Sequence, residues 1–195
     1  MGRIFYIMGK SSTGKDTIYK RLLERCDGTL RRIIMYTTRP IREGECDGVE
    51  YFFVDEERQA RLAAEGRIIE LRSYHTFHGV WNYFTVKDEQ IDLERYDYLM
   101  IGTLESYAMT RDYFGGEKIV PLYIDLDDGV RLQRALDREK LQKKPRYQEL
   151  CRRYLADEAD FSPQKLAEAE ITKRFYNDDL ERCLSEIERY IEERR

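Results

Sequence analysis

Lys15 sits in the run Gly9-Lys10-Ser11-Ser12-Thr13-Gly14-Lys15-Asp16-Thr17, two glycines separated by four residues and then a lysine. A short apolar segment at 3–8 reads as the strand before it, and 16–26 reads as the helix after it. Strand, glycine-bearing turn and helix start in that order make a phosphate cradle. Gly9 and Gly14 let the backbone fold tightly, so that N–H groups from Ser11, Ser12 and Thr13 and the helix N-terminus converge on one anion. Lys15 adds a mobile positive charge for the outer phosphates. Asp16 stands where a serine or threonine usually reaches Mg²⁺. A carboxylate is an equally hard oxygen ligand, and Thr17 offers a hydroxyl one residue later, so both are candidate metal-side residues. The bland alternative is a lysine-containing turn that happens to fit; strand before and helix after favour a nucleotide.

A second group lies downstream. Arg39 and Arg42 are three residues apart beside Pro40, and Tyr51 follows. Arginine gives planar, bidentate hydrogen bonds to phosphate oxygens, and a tyrosine hydroxyl can complete the shell. Spacing alone leaves open that these are solvated charges and a strand core residue. Arg134 and Arg138 are one helical turn apart and share a face.

Alternating strands and helices must position these groups. Strands are expected near 3–8, 97–101 and 118–124, and helices near 16–26, 103–114, 127–139, 147–160 and 178–194. That alternation builds a parallel sheet covered by helices, an α/β fold. The last helix carries Leu180, Leu184, Ile187, Tyr190 and Ile191 on one stripe. Between 30 and 86 the texture becomes β-rich, with strand-like stretches at Leu30–Tyr36, Glu50–Val54, Arg67–Tyr74 and Val80–Val86 and one helix near Asp55–Glu65. An antiparallel lobe inserted into the core is the simplest organisation. The chain of 195 residues is long enough for one domain with a sizeable core. Its net charge of −4 argues against general nucleic-acid or membrane-surface binding, despite a basic cluster in 138–153. Apolar runs are too short for a membrane span, and the start of the chain has no signal-peptide pattern. Cys26, Cys46, Cys151 and Cys183 are far apart, as expected of reduced thiols in the cytoplasm, and zinc is not expected.

From Thr37 to Val54 the sequence resembles the guanylate kinase signature Thr-Thr-Arg-x-x-Arg-x-Gly-Glu-x-x-Gly-x-x-Tyr-x-Phe-Val. With the phosphate loop, Glu70, Arg134/Arg138 and Asn177-Asp178-Asp179-Leu180, the resemblance runs through almost the whole chain. It implies a P-loop kinase core (about 1–32, 87–136 and 160–195), a nucleoside-monophosphate lobe (about 33–86) and a mobile lid (about 137–159). It implies phosphoryl transfer from ATP to GMP with Mg²⁺, by a cytoplasmic monomer or homodimer. Arg39, Arg42, Tyr51, Glu70 and Gly79 are then the GMP side. Gly9, Ser11, Ser12, Thr13, Gly14, Lys15, Asp16, Thr17 and Asn177 are the ATP side, with Asn177 near adenine. Lys15, Arg134, Arg138 and Arg153 serve the transferring phosphoryl group. The chemistry at Glu70 has its own logic: guanine presents N1–H and an exocyclic amino group side by side, and an ionised carboxylate accepts both. Adenine has an acceptor at N1 instead. A strand-edge glutamate facing water is the competing reading of that residue.

The chain departs from the family pattern in places. Met35 stands where a serine usually precedes the signature, and Ser12 replaces a loop glycine. The family's Tyr-Gly-Ser/Thr element aligns best with His78-Gly79-Val80, whereas Asn82-Tyr83-Phe84 resembles it but falls further along. The acidic residues expected after the central strand are missing, leaving Glu105 as a substitute. Two alternatives follow: a ribose 1,5-bisphosphate phosphokinase, whose loop also carries Gly-Lys-Asp, or a non-catalytic guanylate-kinase-like binding module. Retention of Glu70 argues against the first and the intact loop against the second.

Overall fold

The computed structural model describes residues 1–26, 28–76 and 79–195. Strand β1 (Ile4–Met8) is buried along its whole length, which its unbroken apolar sequence requires of a central parallel strand. The phosphate loop leads from it into helix α1 (Lys15–Arg25), which buries Ile18 and Leu22. Then come β2 (Leu30–Arg32), β3 (Tyr36–Thr37), β4 (Phe52–Phe53), α2 (Glu56–Ala64), β5 (Ile68–Thr76) and β6 (Gly79–Val86). The remainder runs β7 (Asp97–Ile101), α3 (Leu104–Phe114), β8 (Ile119–Asp125), α4 (Asp128–Lys140), α5 (Tyr147–Asp160), α6 (Pro163–Glu168), β9 (Arg174–Tyr176) and α7 (Leu180–Glu192).

The core sheet is parallel, in the order β2-β7-β1-β8-β9. The chain diverges to either side of β1, so the loop after β1 opens at the carboxyl end of the strands where the order reverses. That crevice is where open α/β sheets bind ligands. Helices α1 and α7 cover one face, burying Ile18, Leu22, Leu184, Ile187 and Ile191 against Phe5, Ile7 and Phe175. The other face packs Tyr6, Met8, Tyr98 and Met100 against Leu104, Tyr107 and Phe161.

A second sheet, in the order β4-β3-β6-β5, stands apart from the first. Its face toward α2 is apolar, with Leu71, Phe84 and Val86 around Leu62. Strand alternation puts Glu70, Arg72, Tyr83 and Thr85 on the opposite face, where Glu70 is paired with Thr85 and Arg72 with Tyr83 across β5 and β6. The stretch read as one strand, Leu30–Tyr36, is divided: β2 joins the core sheet beside β7, and β3 joins the second sheet. Ile33 is buried in the core between them, so the apolar pattern continues while the chain changes sheets. Helix α6 has no counterpart in the sequence reading, although Ser162 capping the Lys165 N–H and Pro163 in the first turn mark its start.

Candidate functional site

The loop is shaped by what cannot be placed in it. Gly14 has φ of 88°, and a Cβ there would lie 2.4 Å from Asn177 Nδ2, so only glycine fits. The same Nδ2 donates a 2.7 Å bond to the Thr13 carbonyl. Asn177 is 4% exposed, and its Oδ1 is the one buried side-chain polar atom with no partner among the described residues. A buried acceptor without a donor points to a ligand that brings one. Asn177 is not the cap of α7: that role belongs to Asp179, which accepts from the Arg182 N–H. Ser12 holds φ of 66°, a left-handed conformation in which its glycine counterpart would be unstrained.

Side chains of helices α4 and α5 reach this loop. Arg134 Nη2 donates to the Asn177 carbonyl at 3.2 Å, and Arg138 Nη2 to Ser12 Oγ at 3.2 Å. Arg153 Nη2 reaches Ser11 Oγ at 3.5 Å. Burial pulls the Lys15 ammonium below the usual lysine range, opposed by Asp16 and Asp157 and reinforced by Arg153 and Arg138. Lys15, Arg138 and Arg153 are thus gathered at one point from three elements. A cavity of about 410 Å³ opens between Ser12, Gly14, Asp16 and Thr17 on one side and Arg134, Arg138 and Asn177 on the other.

The Asp16 carboxylate is 81% exposed beside that cavity and lies 3.9 Å from Lys15 Nζ. Among the described residues no three His, Cys, Asp or Glu side chains form a metal cluster. A single exposed carboxylate at the loop fits Mg²⁺, which keeps most of its water and is held by one or two carboxylates together with phosphates.

The sequence reading missed the residues that tie α4 and α5 to the loop. Arg131, 1% exposed, donates to Asp128 at 2.8 Å, Glu158 at 2.7 Å and the Ser11 carbonyl at 3.1 Å. Lys10 also bonds Glu158, at 2.7 Å. Asp157 accepts from both the backbone N–H and the hydroxyl of Ser11. A one-turn spacing between Arg153 and Asp157 was the available signal, lost among the many charges of α5.

The second sheet presents its polar face as a strip. Arg39, 3% exposed, makes a bidentate pair with Glu45 at 2.8 and 2.9 Å, and its Nε donates to the Tyr83 hydroxyl at 3.1 Å. The Glu45 bond holds the Arg39 guanidinium above its ordinary value. Tyr51 packs edge-on against Tyr83 with ring centroids 5.5 Å apart, and burial raises its hydroxyl pKa. Arg42 is exposed; its backbone N–H bonds Glu45 Oε2. Further along the strip, Glu70 is buried, not a water-facing strand-edge residue. Its Oε2 accepts from Arg72 Nε at 2.9 Å and its Oε1 from Thr85 Oγ1 at 2.8 Å.

Tyr83, rather than Gly79, therefore stands beside Arg39 and Tyr51. Gly79 pairs with Thr76 at the far end of β6 and is not gathered with Arg39, Tyr51 and Glu70; His78 lies outside the described residues. The family-like Asn82-Tyr83-Phe84 falls further along in sequence because the β5–β6 hairpin is long. Glu105 is exposed in the first turn of α3 and lines a cleft with Thr103 and Tyr74. No helix among the described residues is long and apolar enough to cross a membrane.

The chain is similar in sequence and in fold to known proteins. A family model described as guanylate kinase matches residues 1–92. The guanylate kinase of Neisseria meningitidis serogroup A is 37% identical over 114 residues, 57% of this chain and 53% of that protein. That of Rhodopirellula baltica is 38% identical over 88 residues, 45% of this chain and 41% of that protein. The chain thus matches about half the length of these curated relatives. The crystal structure of guanylate kinase from Anaplasma phagocytophilum superposes on 98% of this chain and 85% of its own, with a TM-score of 0.63 at 20% identity. The fold is therefore the α/β fold of P-loop kinases. In sequence, the similarity to the guanylate kinase family holds across the half that contains the loop and the second sheet.

Proposed function

We propose that the chain transfers the γ-phosphoryl group of ATP to GMP, giving ADP and GDP. The observation that carries this reading is the polar strip of the second sheet, with Arg39 at one end and the buried carboxylate of Glu70 at the other. Arg39, with Arg42 and Tyr51 nearby, suits a phosphate; Glu70 suits the adjacent N1–H and amino donors of guanine. ATP is bound by the loop and Lys15, with the unpaired Asn177 Oδ1 available to the exocyclic amino group of adenine. A phosphate oxygen of GMP attacks the γ-phosphorus in line, its bond to the bridging oxygen breaks, and ADP leaves. The attacking oxygen is already anionic, so positioning and charge compensation are what the protein supplies. Lys15, Arg134, Arg138 and Arg153 provide positive charge where it shifts. Mg²⁺ would be held on the protein side by Asp16, with Thr17 beside it, and neutralises the phosphate oxygens when bound. Arg39 is paired with Glu45 and Glu70 with Arg72, so the phosphate of GMP exchanges for Glu45 at one end while the base meets the Glu70–Arg72 pair at the other.

The reading includes a cytoplasmic enzyme, monomeric or dimeric, with its four thiols free. It is tested by an acceptor panel with ATP and Mg²⁺: GMP, dGMP, AMP, UMP, CMP and ribose 1,5-bisphosphate. Strong ADP formation is expected with GMP and negligible formation with AMP or pyrimidine nucleotides. Ribose 1,5-bisphosphate as the only acceptor would replace this reading with that of the sister kinase, and no turnover with any acceptor would favour a binding module.

A further inference from the structure

We infer that Arg72 is a second base-reading residue, donating to the O6 and N7 atoms of guanine while Glu70 takes the neighbouring N1–H and amino group. The inference rests on GMP being the acceptor. Arg72 is 8% exposed and projects on the same face of β5 as Glu70, two residues away. The two side chains lie edge to edge in a buried ion pair, Nε to Oε2 at 2.9 Å. They offer, side by side, carboxylate acceptors and guanidinium donors. Guanine offers two donors and then two acceptors around its rim, so one ion pair is complementary to two adjoining edges of one base.

The donors of Arg72 are poorly used as they stand. One strong bond, from Nε, fixes the guanidinium plane. Among the described residues Nη2 reaches Glu70 Oε1 only at 3.4 Å, and its other contact, also at 3.4 Å, is the thioether of Met35. A thioether is a weak acceptor, so a carbonyl oxygen or ring nitrogen in its place is a gain. Thr85 meanwhile holds Glu70 Oε1 from across the hairpin, so the carboxylate keeps its place when Arg72 turns toward a base. Burial pulls the Arg72 pKa down, but the Glu70 charge, Tyr6, Tyr74 and the hydrogen bond to Glu70 together leave it above the usual arginine value. Adenine would set its 6-amino donor against Arg72 and its N1 lone pair against Glu70, two mismatches at adjoining positions. Buried groups left unpaired in this way are what make such a site selective.

The test uses purified full-length protein, ATP, Mg²⁺, and GMP, IMP and 7-deaza-GMP as acceptors. IMP lacks the amino group facing Glu70; 7-deaza-GMP lacks the N7 facing Arg72. Wild type is expected to prefer GMP over 7-deaza-GMP by roughly fivefold or more in kcat/KM, one bidentate arm being removed. Arg72→Met should lower kcat/KM for GMP roughly tenfold to a hundredfold, erase the preference over 7-deaza-GMP, and leave the GMP-to-IMP ratio and the KM for ATP unchanged. Because Arg72→Met strands the Glu70 charge, the neutral pair Glu70→Gln/Arg72→Met is measured beside it, and should lose both the N7 and the amino-group preferences. Equal use of GMP and 7-deaza-GMP by wild type, which requires no variant to fold, would overturn the inference while leaving the GMP assignment intact. Failure of wild type to phosphorylate GMP would overturn the acceptor assignment, and this inference with it.

Discussion

The Asp157 carboxylate, on helix α5, accepts a 2.9 Å hydrogen bond from the backbone N–H of Ser11 in the phosphate loop. Helix α5 is thus fastened to the loop by an anion, at a loop whose amides are arranged to receive one. ATP arriving there meets a like charge. Asp157→Asn keeps the shape, removes the charge and should tighten ATP binding by roughly threefold to tenfold, about 1 kcal/mol. Titration with a non-hydrolysable ATP analogue measures this; weaker binding would make Asp157 a supporting residue of the site instead of a competitor.

Lys15 carries a pH dependence. Burial lowers its pKa from the ordinary 10.5, so the ammonium loses its proton at a lower pH than an exposed lysine would. Triphosphate charge restores the proton, so ATP binding should take up a proton in the range between the lowered pKa of Lys15 and the ordinary 10.5. Calorimetry in two buffers of different ionisation enthalpy reads that uptake directly. The sign for folding is the same: below the ordinary lysine pKa the unfolded chain holds this proton more firmly. The resulting cost is full below the folded pKa and diminishes as pH rises toward 10.5. Lys15→Met should abolish the proton uptake, lower kcat by roughly 10²–10³-fold and leave GMP binding in place.

Arg39 and Arg42 should separate by their burial. Arg39→Ala leaves Glu45 without its bidentate partner and Tyr83 without its donor, so it should weaken GMP binding and lower the melting temperature together. The side chain of Arg42 is exposed and makes no ion pair among the described residues. Arg42→Ala should therefore weaken GMP binding roughly tenfold, about 1.5 kcal/mol, at an unchanged melting temperature. Equal losses of ATP affinity in either variant would place that arginine outside the acceptor site.

Arg131 is a buried cation among Asp128, Asp157 and Glu158. Replacing it with methionine preserves much of the bulk but removes the cation shared by three carboxylates, leaving Lys10 to pair with Asp128 and Glu158. Breaking a buried pair from one side costs about 3–5 kcal/mol, and Glu158 here is partly exposed, so the lower end is expected. The loss should appear as earlier hydrogen exchange in 128–160 with the core strands still protected. A uniform loss of protection would show that the network holds the whole fold and not the lid alone.

How much was legible in the sequence depended on the range over which each feature is determined. The strand–loop–helix at 4–25 and the helical stripe of α7 follow from local rules: an unbroken apolar run, a 3.6-residue period and glycines where a turn needs them. The reading of Arg39, Arg42 and Tyr51 came instead from the resemblance of 37–54 to a family signature, since their spacing alone leaves solvated charges open. The register of the hairpin after Glu70 was a different matter. His78-Gly79 lies nearer Glu70 in sequence, but antiparallel pairing folds the longer strand back and brings Thr85 and Tyr83 to Glu70 and Arg72. A count along the chain does not see that folding back, because cross-strand neighbours are set by where the turn falls. The passage of the chain from β2 to β3 was hidden for a related reason: both sheets bury apolar residues, and Ile33 continues the pattern across the change.

The charged residues show the same division. By itself the sequence determined that a glycine-bearing loop with Lys15 stands between a strand and a helix, and it singled out Arg39, Arg42 and Glu70 as candidates further along. Only the tertiary structure decided which charges are already paired. Arg39 is held by Glu45, Glu70 by Arg72, and the loop N–H of Ser11 by Asp157, a partner 146 residues away. In a chain with 34 basic and 38 acidic residues, composition permits a very large number of ion pairs. Burial selects among them, because a charge removed from water must find its counter-charge within hydrogen-bonding distance, and that distance is fixed by the fold.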